Sequence, residues 1–217
     1  MTMDAMDFFR KSEGLWRSQR TTHHLPFRRS ETGDSDITVE ALDADHPKVA
    51  EICKLHDVDP DLAIGGAYVK WQGSMAWDRE GENHAGNTVF ALVPDADNPL
   101  EGKLLRERGY AEIVPVIGRY EVDGDNGLNL ITEYETMSSV ERFWFVNPDL
   151  RFRSSTVKRF GGFNTASFCA ESRILSDGAP SVSINSDNPK EEPVPSLSTE
   201  QLAEATSSRT LYSSLGW

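Results

Sequence analysis

Apolar residues recur at helical spacing in two short stretches of the chain; almost everywhere else they alternate with polar ones. The first helical stretch is Asp4 to Lys11, where Met6, Phe8 and Phe9 carry the pattern and Gly14 ends it. The second is His46 to Leu55, with Val49, Ile52, Cys53 and Leu55 on one stripe and Pro47 in the first turn, where its missing N–H is harmless. Elsewhere the period is two. Leu15 to Thr22 sets Trp16, Ser18, Arg20 and Thr22 on one strand face, and Ile37 to Leu42 is a second short strand. From Gly66 onward the strand signal is nearly continuous: Ala67 to Trp77, Thr88 to Pro94, Lys103 to Arg108, Ile113 to Tyr120, Leu128 to Glu135, Val140 to Val146, Leu150 to Lys158 and Ala166 to Leu175. Between them lies turn chemistry: Asp78 to Gly86, Asp95 to Pro99, Asp123 to Gly127, Asn147-Pro148 and Gly161-Gly162. Short, evenly spaced strands joined by hairpin turns predict an all-β, antiparallel up-and-down meander. About ten strands with one or two short helices suit a closed barrel better than a sandwich, because closure removes the edges.

The pattern stops at residue 175. Ser176 to Trp217 holds ten serines, four prolines and six acids against two basic residues, so it reads as an acidic tail on a barrel formed by residues 1–175. Ser198 to Ala205 has a helix-capping pattern, and Leu211, Tyr212, Leu215 and Trp217 could dock on the barrel. In the 217 residues, 38% are hydrophobic and 26% charged, and no apolar run is long enough to span a membrane. The net charge of -13 argues against a nucleic-acid binder, which needs a basic face, but leaves room for a basic pocket. Two cysteines, Cys53 and Cys169, make no disulfide framework and no zinc spacing. Met1 to Gly14 lacks the apolar core of a secretory signal, and a reducing, cytosol-like compartment is expected.

Candidate chemistry comes from charges within strands. Arg151 and Arg153 lie two apart and share a face; so do Cys169, Glu171 and Arg173 on the following strand. Turned inward, they make a polar lumen able to grip carboxylates, since planar guanidiniums bind them in bidentate fashion. Turned outward, they are an ordinary charged surface; a one-residue slip exchanges the two readings, so facing stays open. Val69, Trp71, Met75 and Trp77 share one strand face, and Arg142 and Trp144 share another, opposite Phe143 and Phe145. Most of the five tryptophans and ten phenylalanines belong to a core, yet aromatics beside arginines also describe a pocket for a large, flat acid. His23 and His24 point to opposite faces, and no third metal ligand is signalled. No nucleophile elbow or phosphate loop occurs, and both cysteines read as buried small residues.

Several stretches carry a resemblance. Met6-Asp7-Phe8-Phe9, the run Ser12 to His24, Trp71-Gln72-Gly73 with Trp77, Phe143 to Ser155 and Ser167 to Arg173 together resemble the CpcS/CpeS (S-type) phycobiliprotein lyases over residues 4–175. The serine- and proline-rich tail departs from that family pattern. The resemblance implies a lipocalin- or fatty-acid-binding-protein-like barrel with a helix near its entrance. It also implies a chromophore lyase. Such a lyase takes up a free linear tetrapyrrole (a bilin such as phycocyanobilin or phycoerythrobilin) as substrate, with no permanently bound cofactor. It promotes thioether attachment of ring A to a cysteine of a phycobiliprotein subunit. On that reading Arg151, Arg153 and Arg20 are candidates to hold the propionates, with Arg173 beside them. Trp71, Trp77 and Trp144, with Met75, would wall the pyrroles, and Glu171 or Glu133 would sit against the pyrrole nitrogens; Arg20 and Glu171 would be the catalytic pair. A homodimer, and a cyanobacterial cytoplasm or plastid stroma, are further expectations. A plain carrier of a hydrophobic carboxylic acid, and a non-catalytic interaction module with a filled lumen, are the competing readings.

Overall fold

The computed structural model describes residues 3–76, 84–107, 116–133, 136–159 and 162–175. Ten strands close into one antiparallel barrel: β1 (Gly14–His24), β2 (Arg29–Asp43), β3 (Gly65–Met75), β4 (Gly86–Asp95), β5 (Asn98–Arg106), β6 (Val116–Val122), β7 (Leu128–Glu133), β8 (Met137–Asn147), β9 (Leu150–Arg159) and β10 (Gly162–Arg173). Each pairs with its neighbours in sequence, and β1 pairs with β10 to seal the wall. Two helices accompany it, α1 (Ala5–Ser12) and α2 (Pro47–Leu55). The predicted tail, residues 176–217, lies outside the described residues.

Local chemistry places α1. Asp4 caps it: its carboxylate accepts from Asp7 N at 2.7 Å, and Asp7 returns the bond to Asp4 N at 3.4 Å. Phe8, Phe9, Met6 and Ala5 are buried among Trp16, Val39, Phe90, Leu92, Leu104, Tyr120 and Leu128, so the helix stoppers one end of the barrel with the apolar core. The second helix packs differently. Val49, Ile52 and Cys53 bury against Leu42, Ala91, Val93 and Leu105, which point out of the barrel, so α2 covers the outside of β2 to β5. This explains the near-continuous apolar run of β4: both of its faces are covered.

Two expectations need correction. β2 runs over 15 residues, not from Ile37 alone. Its first half, Arg29 to Asp36, is polar apart from Gly33, and it lies toward the end away from α1, where Gly33 backs onto Met75. β5 begins at Asn98, inside the predicted turn, because the β4–β5 hairpin closes tightly at Asp95↔Asn98. The predicted Asp123–Gly127 turn is present: Asp123 N donates to Gly127 O at 2.8 Å, and Asn126 takes a φ of 59°.

Candidate functional site

The register decides which side chains line the lumen. Opposed residues in an antiparallel pair share a face, so Trp16–Arg173, Ser18–Glu171–Arg151–Phe145 and Arg20–Cys169–Arg153–Phe143 are successive inward rows across β1, β10, β9 and β8. Trp16 is fully buried and α1 lies beneath it; above the row of Arg20 the wall continues as Thr22, Ser167, Ser155 and Glu141 toward the open end. Arg151, Arg153, Glu171 and Arg20 therefore do face inward, as the first of the two readings expects.

Their partners differentiate them. Glu171 is 0% exposed. Its Oε2 accepts from Arg151 Nε at 2.6 Å, and its Oε1 lies 3.1 Å from an Arg153 nitrogen and 3.5 Å from Ser18 Oγ. Burial by itself would raise this carboxyl, but the two guanidiniums outweigh it and hold the group below its ordinary range, ionised. Arg151, 4% exposed, also stacks on Trp16 at 4.4 Å. Arg151 and Glu171 thus form a buried internal pair. Arg153 bridges upward, with one nitrogen on Glu171 and another 3.4 Å from Glu141. Arg20 is half-buried, touches the Met75 sulfur at 2.6 Å, and makes no ion pair with any described residue.

The aromatic candidates separate as well. Trp71 and Met75 are on the inward row of β3. Trp71 lies across Gly86 of the paired strand, where a Cβ would come within 2.6 Å of the indole. That missing side chain lets the ring lie flat on the wall, still 36% exposed. Trp77 lies outside the described residues. Trp144 is a correction: it pairs with Phe152 on the outer face and meets the Phe152 and Phe168 rings at 5.8 and 6.1 Å, with Arg142 above it at 5.0 Å. Phe143 and Phe145 hold the inward positions of that strand. Glu133 is a second correction, exposed and on the outer face, because Thr132 is the inward residue of the pair with Ser139. Arg173 is a third: it stacks under Trp16 at 4.3 Å and binds Asp149 Oδ1 at 3.1 Å and the carbonyls of Lys11, Pro148 and Glu13. It ties the end of α1 and the β8–β9 turn to the wall, away from the open lumen.

Sequence reasoning passed over Glu141 and Arg106. Both are buried and inward-facing, Glu141 on the row of Phe143 and Phe145, Arg106 on the row of Leu104. The signal was available, a charge on an otherwise apolar face. Burial pushes both thiols up, Cys53 with help from Asp59, and Cys169 despite Arg153 beside it. Among the described residues no group of three metal-ligating side chains occurs, and no helix is long and apolar enough to cross a membrane.

Comparison with known proteins agrees with this architecture. The CpeS-like protein family model matches residues 4–174. A chromophore lyase CpcS/CpeS 2 of Trichodesmium erythraeum is 59% identical over 215 residues, covering 99% of this chain and 100% of that protein, so the tail too has a counterpart there. A phycocyanobilin lyase subunit CpcS of Picosynechococcus is 61% identical over 186 residues, covering 86% and 94% of the two chains. The solved S-type phycobiliprotein lyase CPES of Guillardia theta superposes with a TM-score of 0.70 at 35% identity, covering 80% of this chain and 94% of that one. The chain belongs to the CpeS-like family, that of the CpcS/CpeS chromophore lyases.

Proposed function

We propose that the lumen above the Arg151–Glu171 pair takes up a linear tetrapyrrole, and that the protein promotes attachment of its ring A to a cysteine of a phycobiliprotein subunit. The observation that supports this most is Arg20, an inward guanidinium with no carboxylate partner among the described residues, on a wall that also carries the half-open Trp71. A bilin is a flexible diacid with a conjugated plane, and this wall offers a cation for a propionate and an indole face for a pyrrole. Arg153, braced between Glu141 and Glu171, is the second propionate candidate; Glu171 acts through it, as a positioning residue. Holding the bilin in one conformation limits which face of ring A a thiol can reach. The thiol belongs to the acceptor: its sulfur bonds to the ethylidene carbon, its proton ends on the bilin, and nothing is oxidised or expelled. No nucleophile of the lyase is needed, in keeping with two buried thiols held protonated.

The test is to titrate the protein with phycocyanobilin and with phycoerythrobilin by absorbance, add apo-phycobiliprotein subunits, and read covalent product by zinc fluorescence in denaturing gels. A shifted, structured band and a covalent product faster than the spontaneous reaction are expected. A band without product leaves a carrier of an acidic ligand; no band removes the lumen from the reading altogether. Phycobiliprotein assembly places the activity in a cyanobacterial cytoplasm or a plastid stroma, and the homodimer expected from the resemblance is read by sedimentation of the same samples.

A further inference from the structure

The hairpin β1–β2 turns at the end of the barrel away from α1, through a 3-10 turn at Leu25–Phe27 that packs on β10. Beside it stands the β9–β10 hairpin, since His24 pairs with Thr165 and Lys158 with Phe163. These two neighbouring tips share an unusual composition. Residues 23–30, 158–159 and 162–163 contain Arg28, Arg29, Lys158 and Arg159 and no acid, in a chain of net charge -13. All four cations are exposed. Between them stand apolar side chains that a soluble surface does not need: Phe27 is 73% exposed, Phe163 54% and Leu25 43%. Lys158 Nζ sits 4.6 Å over the Phe163 ring, so charge and ring form one surface. A depression of about 300 Å³ opens among His23, His24, Leu25, Arg28, Arg29 and Ser30. The first carboxylate along β2, Glu31, is occupied by His24 at 2.8 Å, and Glu133 lies in register with Lys158 across Ser138.

We infer that these two tips form the docking surface for the acceptor protein, and that the acceptor meets them with an acidic patch around an apolar centre. The inference rests on the function proposed above. A cysteine of another protein would reach a lumen-bound ligand from the end away from α1, because α1 stoppers the other. The sign of the tips, opposite to that of the chain, selects the partner's charge: an acidic protein is repelled by the body of the lyase and drawn to the tips, which orients it on approach. The exposed rings supply the apolar centre and the cations the rim, the usual anatomy of an interface.

The experiment compares the full chain with Arg28→Glu/Arg29→Glu, Lys158→Glu/Arg159→Glu, their combination, and Phe27→Ala, using phycocyanobilin and purified apo-phycocyanin subunits. Arg28→Gln/Arg29→Gln guards against a reversal that perturbs the turn, and circular dichroism checks the fold. Bilin titrations should stay within about twofold of the parent. The rate of covalent labelling at limiting acceptor should fall on the order of tenfold in the combined reversal, and the steep salt dependence of the parent should flatten. A parent that labels and a reversal that labels equally fast overturn the docking surface alone. A parent that labels no subunit removes the function on which the inference stands. Weakened bilin binding in the reversals overturns the inference by making the tips a propionate clamp. Loss of binding to vesicles of phosphatidylglycerol and phosphatidylcholine, with labelling unchanged, overturns it by making them a lipid contact.

Discussion

Three arginines on one inward face do three different jobs, and the partners of each decide which. Arg151 neutralises Glu171 in a buried pair, Arg153 links that pair to Glu141, and Arg20, which makes no ion pair with any described residue, is the cation we propose for a ligand. Replacing Arg20 by alanine should therefore leave the barrel folded and weaken bilin binding about ten- to a hundredfold, the worth of one charge-assisted contact. Absorbance titration with circular dichroism as control checks this, and a change under about twofold would remove Arg20 from the site. Arg151→Ala should show the opposite balance. It breaks a buried ion pair and leaves Glu171 with Arg153 as its cation, which destabilises a fold by up to roughly 3–5 kcal/mol, readable by urea unfolding. The same pair sets an acid response. The Glu171 carboxyl is depressed in the fold, so its contribution is fully present above the ordinary carboxylate value and is lost as pH falls through the depressed one. Glu171→Gln should be less stable at neutral pH and should lose less further stability than the parent between about pH 5 and pH 3. Equal acid sensitivity in both proteins would show that another group titrates.

At the scale of elements, α1 closes one end of the barrel. Phe8 touches Phe143 and Phe145 with ring centroids 6.5 and 5.0 Å away and is 1% exposed, so the helix is part of the core and not a lid upon it. Phe8→Ala should cost about 3–5 kcal/mol, more than any single exposed strand residue, in the same urea measurement. A loss below about 1 kcal/mol would mean that the helix can leave and that the barrel has two entrances. The join between β3 and the helix layer relies on Gly65, whose φ of 137° and closeness to the Leu42 carbonyl and the Met6 side chain exclude a Cβ. On the opposite side of the wall, the outer rings of Trp144, Phe152 and Phe168 are one cluster because β8, β9 and β10 are in register there. The lumen keeps its aromatic wall at β3 for a complementary reason: Gly86 offers nothing to push Trp71 away.

For the molecule as a whole, every strand and helix among the described residues falls between Ala5 and Arg173, and β1 meets β10 before the tail begins. A chain ending at Leu175 should keep the urea midpoint and bilin affinity of the full chain; a lower midpoint would show that residues beyond 175 contribute to the folded barrel. The order and kind of elements were legible because each is encoded locally. Period-two alternation, Asp-Gly and Asn-Pro turns, the Asp4 cap and Pro47 act over a few residues and need no knowledge of the rest. The chemical types of the site were legible for the same reason: Arg151, Arg153 and Glu171 announce themselves as charges inside strands. Their facing and their roles were not. A period of two gives two equivalent faces, and only barrel closure, with α1 packed inside and α2 packed outside, tells which face is the lumen. Trp144 and Glu133 turned outward, and Arg173 became a staple, for that reason alone. Pairing across strands was beyond the sequence too. Arg151 and Arg20 are both arginines on inward rows; the β9–β10 register sets Glu171 opposite Arg151, while the β1–β10 register, which joins residues more than 100 positions apart, sets Cys169 opposite Arg20.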